Sequence, residues 1–156
     1  MEVKLSTSRN KMRFLLVDRI LELEPSKRIL ATKHVSPDEE YFQDHFPGYP
    51  IVPGVLLVEM IAQAVGKCVI AGLDESLWPV FLQIRQANFR KMVPPDSSLL
   101  IEAFIENTTE KTVSGRGRVL LNQETAAEAS VLFGFIPRNL LARGFEDQVL
   151  KDYLRK

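Results

Sequence analysis

Cysteine and histidine are scarce in this chain of 156 residues, which has one Cys and two His. A single cysteine excludes an internal disulfide framework and fits a reducing compartment, so we expect a cytoplasmic protein. Metal sites built on Cys and His need several such residues at short spacing, and that spacing is absent, so we expect no metal. Cys68 lies inside an apolar stretch, which predicts a packing role rather than that of a nucleophile.

An excess of charge of either sign is also absent, because twenty Lys and Arg balance twenty Asp and Glu. The sequence therefore shows no basic footprint for nucleic acid. The main apolar run is interrupted by polar residues and is a poor membrane span, and the first eleven residues lack the apolar core of a signal peptide. We expect neither nucleic acid nor membrane as a partner. The length predicts one domain with a sizeable core.

The most informative stretch covers residues 45–66 and reads HFPGYPIVPGVLLVEMIAQAVG. A loop stiffened by three prolines leads into a long apolar run. Pro53 restricts the backbone before the run, and Gly54 allows close backbone approach. The run predicts a helix over about 54–71 that ends at Gly72.

Three polar residues, Glu59, Gln63 and Lys67, are spaced four apart on this otherwise apolar helix. That spacing places them in one stripe, which predicts a buried helix whose polar face meets a cavity, a seam or an exit. The first turn leaves backbone N–H groups free at Gly54, where a carbonyl oxygen could bind. A buried Glu59 would have a raised pKa and could donate a proton near neutral pH. His45 is the other acid/base group of the stretch.

A purely structural interpretation is also open, in which Glu59 pairs with a cation and His45 forms hydrogen bonds within its loop. For Glu59 alone or His45 alone, we would favour this structural interpretation. The presence of both around one helix N-terminus favours a site.

These residues resemble the signature of the (3R)-hydroxyacyl-acyl-carrier-protein dehydratases of the FabZ type. That signature is a His-Phe-Pro-Gly loop (here 45–48), a Pro-Gly-Val helix start (53–55), and a Glu followed four residues later by Gln. FabA-type relatives carry Asp at the acidic position, so Glu59 favours the FabZ type. The resemblance covers roughly residues 12–137.

The remaining chain predicts strands separated by short turns, with a helical turn near 36–40 that delivers Tyr41 and Phe42 to the core. The strands are expected over 17–23, 28–35, 78–89, 99–106, 113–121 and 126–136. They predict an α+β protein in which a curled antiparallel sheet, a meander, wraps around one long central apolar helix. The resemblance implies the hot-dog fold.

The predicted domain covers 1–137, with a loose N-terminus over 1–11. Residues 138–156 form a C-terminal extension in which Phe145, Val149 and Tyr153 recur at helical spacing. We expect an amphipathic helix that docks on its own subunit or a neighbour, in preference to a lid over the site.

The resemblance implies dehydration of (3R)-3-hydroxyacyl-acyl carrier protein to the trans-2-enoyl product in fatty-acid biosynthesis. His45 would remove the α-proton, the start of the helix at Gly54 and Val55 would hold the thioester oxygen, and Glu59, oriented by Gln63, would protonate the departing hydroxyl. No cofactor is expected beyond the phosphopantetheine of the carrier.

The resemblance also implies a homodimer with shared active sites, and a trimer of dimers is a further option. His45 and Glu59 of one chain would then serve different sites. We expect the apolar tunnel for the acyl chain to be lined by residues such as Phe46, Val55, Ile84 and Phe89. Arg85, Arg90 and Lys91 are candidates for contact with the acidic acyl carrier protein, with a solvated strand end as the equal alternative.

Asp44 departs from the family pattern, which has Gly before the motif His. A carboxylate there could change the role of His45 as a base. Asp44 therefore leaves open the alternative that the chain is a catalytically idle subunit that binds the carrier protein. A dehydratase of a specialised acyl pathway is a further alternative. A hot-dog thioesterase is disfavoured by the spacing between the His-Phe-Pro-Gly loop and Glu59.

Overall fold

A long helix packed on one six-stranded antiparallel sheet makes up the core of the computed structural model, which describes residues 14–156. The N-terminal segment 1–11, expected to be loose, lies outside the described residues. The regular elements are, in chain order, β1 (Arg19–Glu24), β2 (Arg28–Val35), α1 (Gly54–Ile70), β3 (Leu77–Phe89), β4 (Ser97–Thr108), β5 (Thr112–Leu121), β6 (Glu124–Pro137) and α2 (Gln148–Leu154). Two 3-10 turns, Glu40–Gln43 and Arg138–Leu140, complete them.

The strand order in the sheet is β1-β2-β4-β5-β6-β3. Strands β4, β5 and β6 follow one another as the predicted meander, but β3 pairs with β6 at the far edge instead of standing between β2 and β4. The expectation of a meander throughout was therefore wrong for β3. The reason is that α1 and its following loop separate β2 from β3 and carry the chain to the opposite edge of the sheet.

Helix α1 is buried along most of its length and begins and ends where the sequence predicted. It starts directly after Pro53, and Ala71 is its C-cap residue. Its apolar faces meet the sheet closely: a Cβ at Gly117 of β5 would lie 2.9 Å from Ile61, and one at Gly115 would lie 2.9 Å from Val65. Small residues on β5 therefore let the sheet approach the helix.

The smaller predictions are also largely confirmed. The 3-10 turn buries Phe42 and leaves Tyr41 partly buried against the core. Cys68 is fully buried, and that burial raises the pKa of its thiol to about 11, which fits packing rather than nucleophilic chemistry. Strand β1 begins at Arg19, two residues later than expected.

The C-terminal helix is shorter than its sequence spacing suggested, because Phe145 precedes it and Asp147 is its N-cap. The Asp147 carboxylate accepts a hydrogen bond from the Leu150 amide at 3.0 Å. Leu150 is buried, and α2 packs against β1 of its own chain. Of the helices in residues 14–156, none has the length and apolar character that a membrane span requires.

Candidate active site

The backbone of His45 is held from both directions along the chain: its amide donates to the Tyr41 carbonyl oxygen at 2.9 Å, and its carbonyl oxygen accepts from the Ile51 amide at 3.0 Å. The imidazole Nδ1 lies 3.0 Å from the Ile51 carbonyl oxygen, and the ring stacks on Phe46 with centroids 4.1 Å apart. A carbonyl can only accept a hydrogen bond, so Nδ1 carries the proton. The neutral ring therefore keeps its lone pair on Nε2, the atom available to act as a base.

The start of α1 presents backbone donors at Gly54 and Val55. Neither amide donates a hydrogen bond to another described residue, whereas the amide of Leu56 already binds the Pro53 carbonyl oxygen at 2.9 Å. A Cβ at Gly54 would lie 2.8 Å from the Phe89 ring, so glycine is needed for this close packing. The helix start combines free N–H groups with the positive end of the helix dipole, which suits a carbonyl oxygen that gains negative charge.

Glu59 is half-buried on α1 and is held by Gln63 one turn later. The Gln63 amide nitrogen donates to Glu59 Oε1 at 3.1 Å. Burial raises the pKa of the Glu59 carboxyl, and the hydrogen bond from Gln63 partly opposes that rise. A carboxyl with a raised pKa is a better proton donor near neutral pH than an exposed one.

Gln63 also connects Glu59 to the segment that precedes β1. Its amide oxygen accepts from the buried Leu16 amide at 2.9 Å, and its amide nitrogen donates to the Phe14 carbonyl oxygen at 3.1 Å. Both ends of the side chain are therefore used, which fixes the orientation of the amide. This arrangement makes Gln63 a positioning residue for Glu59.

Replacing Gln63 by leucine should lower the free energy of unfolding by about 1–3 kcal/mol, because the Leu16 amide would lose its partner. Urea unfolding of both proteins measures the difference. Gln43→Leu, at an exposed position, is the matched control and should change stability little. Equal effects of the two substitutions would contradict this role for Gln63.

A cavity of about 290 Å³ runs along the polar stripe of α1. Glu59, Gln63 and Lys67 all line it, as their spacing predicted. Its other lining residues are mainly apolar and come from the segment before β1, from α1 itself, from β3 and from β6: Phe14, Leu15, Ala62, Gly66, Ile70, Trp78, Pro79, Phe81 and Phe133, with Asp147 from the C-terminal segment. The helix thus turns its single polar stripe toward a space whose other lining residues are apolar, apart from Asp147.

The structure does not bring His45 to this cavity, although it brings Glu59 and Gln63 there. The four residues guessed for the tunnel do not line it either, and each is about half or more exposed: Phe46, Val55, Ile84 and Phe89. The aromatic wall comes instead from Trp78, Phe81 and Phe133. Sequence reasoning missed these because each lies within a strand whose inward face depends on register. Asp147 could have been singled out from the sequence, because an Asp directly before a helix is a typical N-cap.

The three candidate carrier contacts differ in their surroundings. Arg90 pairs with Glu128 at 2.5 Å and Lys91 pairs with Glu124, so both cations already have a carboxylate partner. Arg85 is exposed on β3 and forms no ion pair with another described residue. Of the three, Arg85 has the charge most available to an acidic surface.

Asp44, the departure from the family pattern, is exposed and ends the 3-10 turn. Its amide donates to the Tyr41 carbonyl oxygen at 3.3 Å. Its carboxylate forms no ion pair with His45 among the described contacts, and the His45 ring is turned to Ile51 instead. The carboxylate therefore leaves the hydrogen bond that sets the tautomer of His45 intact.

The sequence is similar to proteins named as dehydratases. The FabA-like domain family matches residues 9–130. The 3-hydroxyacyl-acyl-carrier-protein dehydratase FabZ of Pelotomaculum thermopropionicum is 43% identical over 122 residues, which cover 77% of this chain and 86% of the relative. The protein of the same name from Koribacter versatilis is 42% identical over 130 residues, covering 80% of this chain and 81% of the relative.

Solved structures share the fold at low sequence identity. A hypothetical thioesterase protein with coenzyme A from Streptococcus pneumoniae TIGR4 superposes with a TM-score of 0.61 at 17% identity, covering 76% of this chain and 85% of that chain. The dehydratase heterocomplex ApeI:P from Xenorhabdus doucetiae gives 0.56 at 19% identity, covering 74% and 96%. These likenesses confirm the predicted hot-dog fold, an α+β architecture with a curled antiparallel sheet and one long helix.

Proposed function

The chain belongs to the FabA-like family, within it to the FabZ-type 3-hydroxyacyl-acyl-carrier-protein dehydratases, and we propose that it dehydrates 3-hydroxyacyl-acyl carrier protein to the 2-enoyl product in fatty-acid biosynthesis. The observation that carries the proposal is the Glu59–Gln63 pair, which faces an apolar cavity from a helix whose first amides are free. An elimination beside a thioester needs a proton donor, an oxyanion site and an apolar space for the acyl chain, and these features supply them.

The reaction starts with removal of the α-proton by Nε2 of His45. The electrons of the broken C–H bond form the new double bond as the C–O bond to the β-hydroxyl breaks. Glu59 gives its proton to that hydroxyl, which leaves as water. The amide of Gly54, with Val55 beside it, stabilises negative charge on the thioester oxygen during the transfer.

The proposed reaction conserves protons and needs no redox partner. His45 gains one proton and Glu59 loses one, and exchange with water restores both groups. Because the product is another thioester, no electrons leave the substrate, and the proposed reaction uses no metal or resident cofactor. The phosphopantetheine arm of the carrier protein would deliver the substrate.

We propose that the active unit is a homodimer in which His45 of one subunit faces Glu59 of the other. Two observations support this arrangement. His45 does not line the cavity of Glu59 within one chain. Strand β3 lies at the sheet edge and exposes Leu82 and Ile84 by 58% and 50%, which suits pairing with another edge.

Arg85, exposed on the same strand, is the favoured contact for the acidic carrier protein, ahead of Arg90 and Lys91. A cytoplasmic location fits the single cysteine, which lies fully buried in α1.

The direct test of the activity is hydration of a crotonyl thioester, followed by loss of the absorbance of the conjugated double bond. We expect the purified protein to remove this absorbance until equilibrium is reached. Absence of any change with short and long enoyl thioesters would overturn the proposal. The idle, carrier-binding subunit would then be favoured, and Asp44→Gly would be the first variant to test for restored activity.

A further inference from the structure

The cavity that Glu59 lines takes one lining residue, Asp147, from the C-terminal segment, residues 138–156, which lies beyond the region that the family match covers. On α1, Lys67 follows Glu59 by eight residues, or about 12 Å along the helix axis. The Lys67 ammonium pairs with the Asp147 carboxylate at 2.5 Å, and both side chains are largely buried, at 6% and 14% exposure. Both residues line the cavity, so a charged pair lies in its lining about two helical turns from Glu59.

Several other contacts hold the segment in this place. The Phe145 ring packs edge-on against Trp78 with centroids 5.2 Å apart. The Arg138 guanidinium donates to the Phe145 carbonyl oxygen at 2.8 Å and lies 5.3 Å from the centre of the Trp78 ring. Leu150 anchors the following helix in the core. The segment is therefore held beside the cavity, and the part of the lining formed by Lys67, Asp147 and Trp78 is called the wall.

We infer that this wall limits the length of the acyl chain that the enzyme accepts, with Lys67, Asp147 and Trp78 as the specificity-determining residues. The inference rests on the proposed function, which places the acyl chain in the cavity. An apolar chain end that reaches the wall would have to displace or desolvate a buried ion pair, which is unfavourable. Short acyl chains end before the pair and avoid this cost, whereas long chains meet it.

The test compares kcat/KM for four-carbon and sixteen-carbon enoyl thioesters in the full-length protein. The main variant is the double substitution Lys67→Ala with Asp147→Ser. It removes both charges together and leaves neither unpaired, and serine retains an N-cap oxygen for α2. We expect the ratio of long-chain to short-chain kcat/KM to rise by about tenfold or more, the discrimination typical of apolar pockets.

The matched control is Lys151→Ala with Glu146→Ser, which removes another ion pair of the same segment, away from the cavity lining. It should leave the ratio unchanged. Trp78→Leu is a second variant, which removes the indole ring from the wall and keeps the ion pair. It should also raise the ratio of long-chain to short-chain kcat/KM. This variant still tests the wall if the double variant fails to fold.

The outcomes separate the inference from its premise. No turnover of either thioester by the wild-type protein would overturn the proposed function itself. Turnover by the wild type with the same chain-length ratio in the opened variants would overturn only the role of the wall. An equal rise in the control pair would also overturn it, because the effect would then come from the segment in general.

Discussion

Replacing Glu59 by glutamine should reduce kcat/KM for enoyl-thioester hydration by at least about 10²-fold, the usual contribution of a general acid or base. Glutamine keeps the size of the side chain and can still form a hydrogen bond with Gln63, but it has no proton to give. The measurement is the loss of enoyl absorbance under the same conditions as for the wild type. Glu75→Gln, in the exposed loop before β3, is the control and should retain full activity.

The same variant should be at least as stable as the wild type, and its advantage should depend on pH. Burial raises the pKa of Glu59 in the folded state above its unfolded value. The stability that the protonated carboxyl gives is complete below the unfolded pKa and is lost as pH rises through the folded pKa. Glutamine does not titrate, so its advantage in Tm should grow as pH rises through that range.

These two readouts distinguish a catalytic carboxyl from a structural one. A catalytic Glu59 predicts lost activity together with retained or higher stability. If Glu59→Gln lost activity and stability in parallel at every pH, damage to the fold would explain the result instead. Retained activity with a normal fold would remove Glu59 from the mechanism.

Mixing two inactive variants should restore activity if the sites are shared between subunits. His45→Ala and Glu59→Gln should each be nearly inactive as pure proteins. In a mixed dimer, however, one of the two sites combines the intact His45 of one chain with the intact Glu59 of the other. Random pairing makes half of the dimers mixed, so recovery should reach about a quarter of wild-type activity in a twofold-symmetric assembly.

The experiment needs subunit exchange, which co-expression of the two differently tagged variants provides. The control is the double variant His45→Ala, Glu59→Gln mixed with wild type. It leaves one mutant residue in each site of a mixed dimer, so the mixed dimers add no activity beyond the wild-type homodimers. No recovery in the co-expressed single variants, with mixed dimers isolated by both tags, would show that each chain completes its own site.

Features of this protein that depend on local spacing could be predicted from the order of its residues. Four-residue spacing placed Glu59, Gln63 and Lys67 on one side of α1, because side chains four apart share a helix face. Pro53 and Gly54 located the start of the helix, and period-two patterns located most strands. The motif from His45 to Gln63 also identified the family, since its residues are close together in the chain.

Features that depend on contacts between distant segments became visible only in the folded chain. The position of β3 beside β6 follows from the path of the chain after α1, which no local pattern encodes. The cavity wall depends on it, because Trp78 of β3 lines the same cavity as Lys67 and its ion-pair partner Asp147 from the C-terminal segment. A side chain 80 positions away in sequence can complete a buried ion pair only after the fold has formed, so spacing could not reveal it.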